Sequence, residues 1–309
     1  MDEILITGVS GGLANIVAHR LAENYKVVGV DVRPRRHPEP FPGKFYQVRY
    51  QNRKMADVFR KHDFRTLVHL GRVRNTIGRL KDRFDLNVLG TRNLLELCLK
   101  HELKQCIVMS TFHVYGAHQH NPLYLNEETT LRASQIFPEL ADAVEFDNIA
   151  QAFLWRNRRI RTVILRPANI VGPHINNALC KLMRRRATPC LMGFDPIMQF
   201  IHEDDMARII EMSVQSDHYG IYNLTGEGVV PYTAAIEIAG GTPVPVPHFV
   251  AYPFVNVLDR LGLNFPMHLL DYFKYPTILS DEAFRRDFDW SPSVETVEAL
   301  RSVRETVRA

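Results

Sequence analysis

Thr7-Gly8-Val9-Ser10-Gly11-Gly12-Leu13-Ala14 follows a short β-branched run and opens directly into a helical pattern, and the reading of this stretch decides the fold. Gly8 permits a tight turn out of a strand, Gly11 lets the backbone come close to a pyrophosphate, and the small Ala14 lets the helix press on the strand. The start of that helix supplies unpaired N–H groups and positive potential suited to a phosphate. Leu13, Ile16, Val17 and Leu21 then form the apolar stripe of a helix that packs on a sheet.

Working outward, a second β-branched run ends at Asp31, where a carboxylate can accept hydrogen bonds from a ribose diol. A lone aspartate there would read as a surface turn; the order strand, glycine turn, helix, strand, acid argues for a dinucleotide site instead. Arg33, Arg35 and Arg36 could hold a 2′-phosphate, but Asp31 would repel one at close range, so NAD is expected over NADP. Val32, beside that acid, joins the expected cofactor-binding set with Ser10, Gly12 and Leu13.

Beyond these residues, strand-like runs alternate with helical patterns. Strands are predicted at Ile4–Thr7, Lys26–Asp31, Phe45–Val48, Thr66–Leu70, Cys106–Ser110, Thr162–Arg166 and Ile221–Leu224. That alternation builds an α/β fold, a doubly wound parallel sheet of the Rossmann kind covered on both faces. Past about residue 170 the rhythm breaks at Pro173, Pro189 and Pro196, and Gly240-Gly241 opens a run with Pro243, Pro245 and Pro247. The expected division is a dinucleotide-binding domain over 1–172, completed by 199–225, with 173–198 and 226–309 forming a small, mostly helical substrate-side region.

Bulk properties exclude several classes. The chain has 309 residues, 46% hydrophobic and 23% charged, so it is globular rather than disordered or fibrous. Its net charge of +4 is scattered, and the densest run, Arg184-Arg185-Arg186, reads as a solvated helix face, so no nucleic-acid partner is expected. Cys98, Cys106, Cys180 and Cys190 lie at no metal-ligand spacing. Free thiols and the lack of an apolar leader predict a cytoplasmic protein. The longest apolar stretch, Phe249 to Leu258, is too short to span a bilayer and reads as core or interface.

Further motifs resemble those of the extended short-chain dehydrogenase/reductase family of nucleotide-sugar epimerases and dehydratases. His69-Leu70-Gly71 is similar to its His-Leu-Ala-Ala, and Asn87 to Leu95 to its helix-four signature. Ser110-Thr111-Phe112-His113-Val114-Tyr115-Gly116 resembles its strand-five motif, with Thr111 at the catalytic Ser/Thr position. Arg166-Pro167-Ala168-Asn169-Ile170 resembles the motif bordering nicotinamide and substrate, and 200–207 and 281–292 match its two late signatures. The resemblance implies cofactor contacts from Leu70, Gly71, Asn87, Ser110, Pro167, Ala168 and Ile170, a small-molecule substrate such as a sugar derivative, and a homodimer. The pairing helices would span roughly 83–100 and 141–155, where Leu94, Leu95, Leu97 and Leu99 exceed what one buried face requires.

Three departures qualify it. Members carry Tyr-x-x-x-Lys on the helix after strand five, the lysine lowering the tyrosine pKa so that the phenol acts on a substrate hydroxyl. Here those positions fall near Ala143 and Asp147, and no lysine lies between Lys104 and Lys181. Tyr50 and Lys54 have the spacing but sit after strand three. The arginine expected just before Phe-Ile-His, a diphosphate ligand, gives way to Met198 and Gln199, and the adenine-side aspartate is replaced near Arg49. A subgroup of the family carries an acidic pair on the helix in question, which singles out Glu145 and Asp147.

The candidates for catalysis are therefore Thr111, His113, Glu145 and Asp147. His113, His118 and His120 share a loop, but their spacing does not make a metal site, and no metal is expected. Two functions stand: an NAD-dependent oxidoreductase or epimerase/dehydratase with an unorthodox acid/base, or a dinucleotide-binding protein without turnover.

Overall fold

The computed structural model describes residues 1–72, 80–247 and 269–305. Seven strands form the central sheet: β1 (Glu3–Thr7), β2 (Lys26–Asp31), β3 (Gly43–Gln47), β4 (Phe64–His69), β5 (Gln105–Met109), β6 (Arg161–Pro167) and, much later, β11 (Gly220–Leu224). Their spatial order is β11-β6-β5-β4-β1-β2-β3, and every neighbouring pair is parallel. The doubly wound sheet read from the sequence is thus present, each strand within two residues of its predicted bounds.

The order reverses between β1 and β4, so a crevice opens beyond their carboxyl ends, where such sheets bind ligands. Ile4, Leu5 and Ile6 are completely buried because both faces of β1 are covered, which is why the run is continuously apolar rather than alternating.

Helices cover the two faces. On one lie α1 (Gly12–Leu21) and α8 (Glu203–Gln215), whose apolar sides share a core with β1 and the C-terminal residues Phe284, Phe288 and Trp290. On the other lie α2 (Arg53–Lys61), the short α3 (Leu80–Phe84), α4 (Gly90–Lys100), α5 (Ala133–Ile136) and α6 (Ala141–Arg156). Between α3 and α4 the chain makes a π-helical turn over Asp85–Leu89.

The remaining elements are β7 (Asn169–Val171), α7 (Ala178–Met183), β8 (Ala187–Leu191), β9 (Ile197–Met198), β10 (Phe200–His202), β12 (Val230–Pro231), α9 (Tyr232–Ile238) and β13 (Thr242–Val246), with three short helices between 269 and 302. The Pro-rich run does not stay a loop. It becomes β13, paired in parallel with β8, the prolines being tolerated in a two-stranded ribbon with open edges.

Two expectations are corrected here. Leu94, Leu95 and Leu97 are buried in the chain's own core, so they are not surplus; the apolar side chains left exposed on these helices are Phe84, Leu89, Leu99 and Trp155. The arginine run follows the end of α7 rather than lying within a helix, and Arg184 is no solvated side chain. It donates to the carbonyls of Val303, Gly172 and Pro173 and so ties the late chain to the loop after β7. The apolar stretch 249–258 lies outside the described residues. No helix among the described residues is long and apolar enough to cross a membrane.

Candidate functional site

A cavity of about 660 Å³ runs along the crevice, from Asp31 at one end to Thr111 and His113 at the other. Its size is within the range of small-molecule sites. Its first section is the glycine turn. Gly8 sits at φ +81°, and a Cβ there would fall 2.6 Å from the Gly71 Cα, so only glycine lets these two turns meet. Gly11, Gly12 and Leu13 face the cavity at the start of α1, where the first-turn amides of a helix favour an anion.

Asp31 is almost wholly buried, its oxygens accepting from the backbone N–H groups of Ser10 and Arg33, both at 2.9 Å. The two amides take about half of the carboxylate's acceptor positions, and the Arg33 guanidinium reaches the others only at 3.4 Å through Nε and Nη2, so a ribose diol would bind by displacing it. Folding back in this way weakens Arg33 as a phosphate ligand. Arg35 is spent on Asn15 and stacks over Phe41. These residues fit a dinucleotide with a free diol.

Val32, Leu70 and Gly71 line the same section, with Ser110, Pro167, Ala168 and Ile170 toward the far end. Ser10 contributes its amide to Asp31 rather than a cavity wall. Asn87 is not on the cavity wall: it is fully buried in the π-turn and donates to Asp142 Oδ2 at 2.6 Å.

At the far end, Thr111 Oγ1 lies 2.8 Å from His113 Nδ1. The imidazole is gripped by rings: Phe112 at 4.1 Å and Tyr272 edge-on at 4.7 Å, with the Tyr272 hydroxyl donating to the His113 carbonyl at 2.6 Å. The tight Phe112–Tyr115 helical turn after β5 sets this geometry, with Thr111 as its N-cap. His118 and His120 lie beside each other away from the cavity, and no metal-ligand cluster occurs among the described residues.

The helix that should carry the Tyr-Lys couple shows a different construction. Ala143 is buried and leaves no phenol. Asp147 is wholly buried behind Ser110, and Arg166, equally buried, grips it through Nε at 3.0 Å and Nη2 at 2.6 Å. Ser110 Oγ and Gln151 Nε2 donate to the same carboxylate, so four donors fill its acceptor positions. Burial alone would discourage the Arg166 charge, but Asp147 more than offsets it and holds the guanidinium ionised. Arg166 Nη1 also donates to the Tyr115 hydroxyl at 2.9 Å, which burial has pushed up to about 12. Glu145 is half-buried on another face of the helix and is not part of the cavity wall. Of the four catalytic candidates, Thr111 and His113 come together there and the two carboxylates do not.

Gln199 is consumed structurally, its side-chain amide bonding both the N–H and the C=O of Leu279 at 2.7 and 3.0 Å. Met198 takes a place on the cavity wall. Among the lining residues that the sequence reading did not place in the site are Tyr50 and His174. Tyr50, paired on paper with Lys54, is buried under the glycine turn with its hydroxyl in the space a side chain at Gly71 would need, while Lys54 is exposed. His174, from the loop after β7, also lines the cavity. The glycine at 71, where the resembling motif has alanine, was the one signal that something large stood opposite.

Sheet, glycine turn, buried acid and crevice together define a dinucleotide-binding α/β protein of the Rossmann type. The chain belongs to the NAD dependent epimerase/dehydratase family, whose model matches residues 4–225. A Mycobacterium tuberculosis protein described as uncharacterized is 28% identical over 96% of this chain and 82% of its own length. Mouse UDP-glucose 4-epimerase is 23% identical over 78% of the chain and 72% of its own length. Among solved structures, UDP-glucose 4-epimerase from Thermotoga maritima with UDP-glucose superposes with a TM-score of 0.79 at 18% identity, covering 97% of each chain. dTDP-glucose 4,6-dehydratase from Bacillus anthracis in complex with NAD gives 0.76 at 20%, covering 98% of this chain and 96% of that one.

Proposed function

We propose that this protein is an NAD-dependent oxidoreductase or epimerase/dehydratase acting on a sugar-like or hydroxylated small molecule, with His113 as its acid/base and Thr111 orienting the substrate. The observation that carries this reading is the 2.8 Å contact between Thr111 Oγ1 and His113 Nδ1 inside the cavity. Gly11, Gly12 and the first amides of α1 would hold the cofactor's pyrophosphate and Asp31 its adenosine diol. When bound, the nicotinamide supplies the acceptor for a hydride.

Thr111 accepts a hydrogen bond from the substrate hydroxyl and donates its own proton toward Nδ1. As the substrate carbon gives up a hydride, the hydroxyl proton passes along that line to the imidazole, and the carbonyl forms. Asp147, with its acceptor positions filled, has no lone pair for this work. Its role is to anchor Ser110 and Arg166 behind the site.

The second reading, dinucleotide binding without turnover, is favoured by that same ion pair standing where the family's catalytic lysine is expected. Titration with NAD and NADP, followed by a screen of free sugars, nucleotide sugars and hydroxysteroid-like alcohols, tests both. NAD should bind more tightly than NADP, and His113→Gln and Thr111→Ala should each lower turnover at least tenfold with NAD affinity unchanged. No turnover with any substrate despite tight NAD binding would favour the second reading. We also infer a homodimer through the exposed Phe84, Leu89, Leu99 and Trp155.

A further inference from the structure

The loop after β7 docks against the glycine turn. The His174 carbonyl packs directly on Gly12, at the place where any side chain at 12 would stand. Two residues earlier, Gly172 has φ +152°, and the space its side chain would take is filled by the Glu203 carboxylate. Both glycines are therefore needed for the loop 172–174 to dock against the first turn of α1. Glu203 is buried at the start of α8. It accepts from the His174 backbone N–H at 3.1 Å and bonds the imidazole through Nδ1 in a short contact. The His174 ring is about 40% exposed and lines the cavity beside Gly11, Gly12 and Leu13.

Three groups from separate parts of the chain thus aim one imidazole at the helix start that receives a phosphate. A carboxylate on Nδ1 requires a proton there, so Nε2 can donate toward the cavity only when the ring is charged. An anion on each side would favour that charge.

We propose that His174, strapped by Glu203, is a diphosphate-binding side chain of the dinucleotide site, charged between the buried carboxylate and the pyrophosphate. The proposal rests on the reading of the cleft as a dinucleotide site, but not on any turnover. Other charged groups around His174 are His37 and Arg35 on the loop after β2, His202 before α8, and Arg184, whose guanidinium holds the carbonyls of Gly172 and Pro173. Burial raises the Glu203 carboxyl, with His174 as its main counterweight. His37 is pushed down by burial and by Arg35, so it competes poorly for the same proton.

The test is calorimetric binding of NAD, ADP-ribose and adenosine at pH 6 and pH 8, each run in two buffers of different ionisation enthalpy. Wild type should take up a proton on binding NAD or ADP-ribose and should bind both several-fold more tightly at pH 6. His174→Gln, at a partly exposed position that should not disturb folding, should weaken NAD and ADP-ribose about five- to tenfold at pH 6, abolish the proton uptake and leave adenosine unaffected. Glu203→Gln should shift the pH dependence in the same direction, with the thermal melt showing whether the fold survives. His174→Gln binding with the wild-type affinity and proton uptake would overturn the proposal and leave the cofactor reading intact. Wild type that binds neither NAD nor ADP-ribose would overturn both.

Discussion

Restoring the residues the family resemblance calls for, Ala143→Tyr with Asp147→Lys, should damage this protein rather than revive a catalytic couple. Asp147 and Arg166 are both fully buried, and the carboxylate takes four donors. Removing one member of such a pair typically costs about 3–5 kcal/mol, because the other is left charged and unpaired in a low dielectric. Lysine at 147 adds a like charge at the distance of a former salt bridge, so that range is a lower bound. For a chain of this size each kcal/mol corresponds to roughly 2 °C in melting temperature, so Asp147→Lys should melt at least about 6–10 °C lower. Differential scanning calorimetry of the single and double variants reads this directly. The pairwise control is Asp147→Leu with Arg166→Met, which removes both charges and should recover most of the loss. A lysine variant melting within a degree of wild type, or a double variant gaining turnover, would refute the reasoning.

Light scattering at micromolar concentration should give the mass of a dimer, and Leu89→Glu with Trp155→Glu should return it to a monomer; a wild-type monomer would end that assignment. A second expectation concerns acid. His69 is buried between Thr7 and Thr91, at 2.6 and 2.9 Å, and burial lowers its pKa to about 3. With the folded value below the unfolded value of about 6.5, the neutral ring's contribution is complete above about pH 6.5 and is lost as the pH falls toward 3, at up to about 1.4 kcal/mol per unit. Melting curves between pH 7 and pH 4 should therefore show a steeper decline for wild type than for His69→Gln, and equal slopes would contradict this.

Much of the fold was legible because it rests on local pattern. The run Ile4 to Thr7, the glycines at 8, 11 and 12, the stripe on α1 and the acid at 31 lie within one stretch of chain, and each is dictated by backbone geometry or by burial on a sheet. Thr111 and His113 were legible for the same reason, being two residues apart on one turn. What escaped depends on pairing across the fold. Glu145 and Asp147 are equivalent acids on paper; only the arrival of Arg166 from β6 and Ser110 from the end of β5 distinguishes them. Gln199 reads as a lost phosphate ligand, yet the N–H and C=O of its one amide match the backbone of a residue 80 positions away. Leu94, Leu95 and Leu97 were miscounted because a helix packed on the sheet and also against α6 is buried on more than one face.

The ion pair at 147 also constrains where chemistry can occur. A general base needs a lone pair within reach of the substrate proton, and Asp147 has spent its acceptor positions on groups that have no other buried partner of equal strength. Freeing a position held by Ser110 or Arg166 would strand a buried partner, a cost of the same order as the catalytic gain. On the proposed reading, proton transfer would then lie on the cavity side of Thr111. There His113 combines a titratable ring, a hydrogen bond to the hydroxyl that would orient the substrate, and a cage of Phe112 and Tyr272 that limits its rotation. Replacing lysine by aspartate in this helix therefore does more than remove a catalytic group. It ties Arg166 and Ser110 into the structure, and on the proposed reading the acid–base function would lie in the turn after β5.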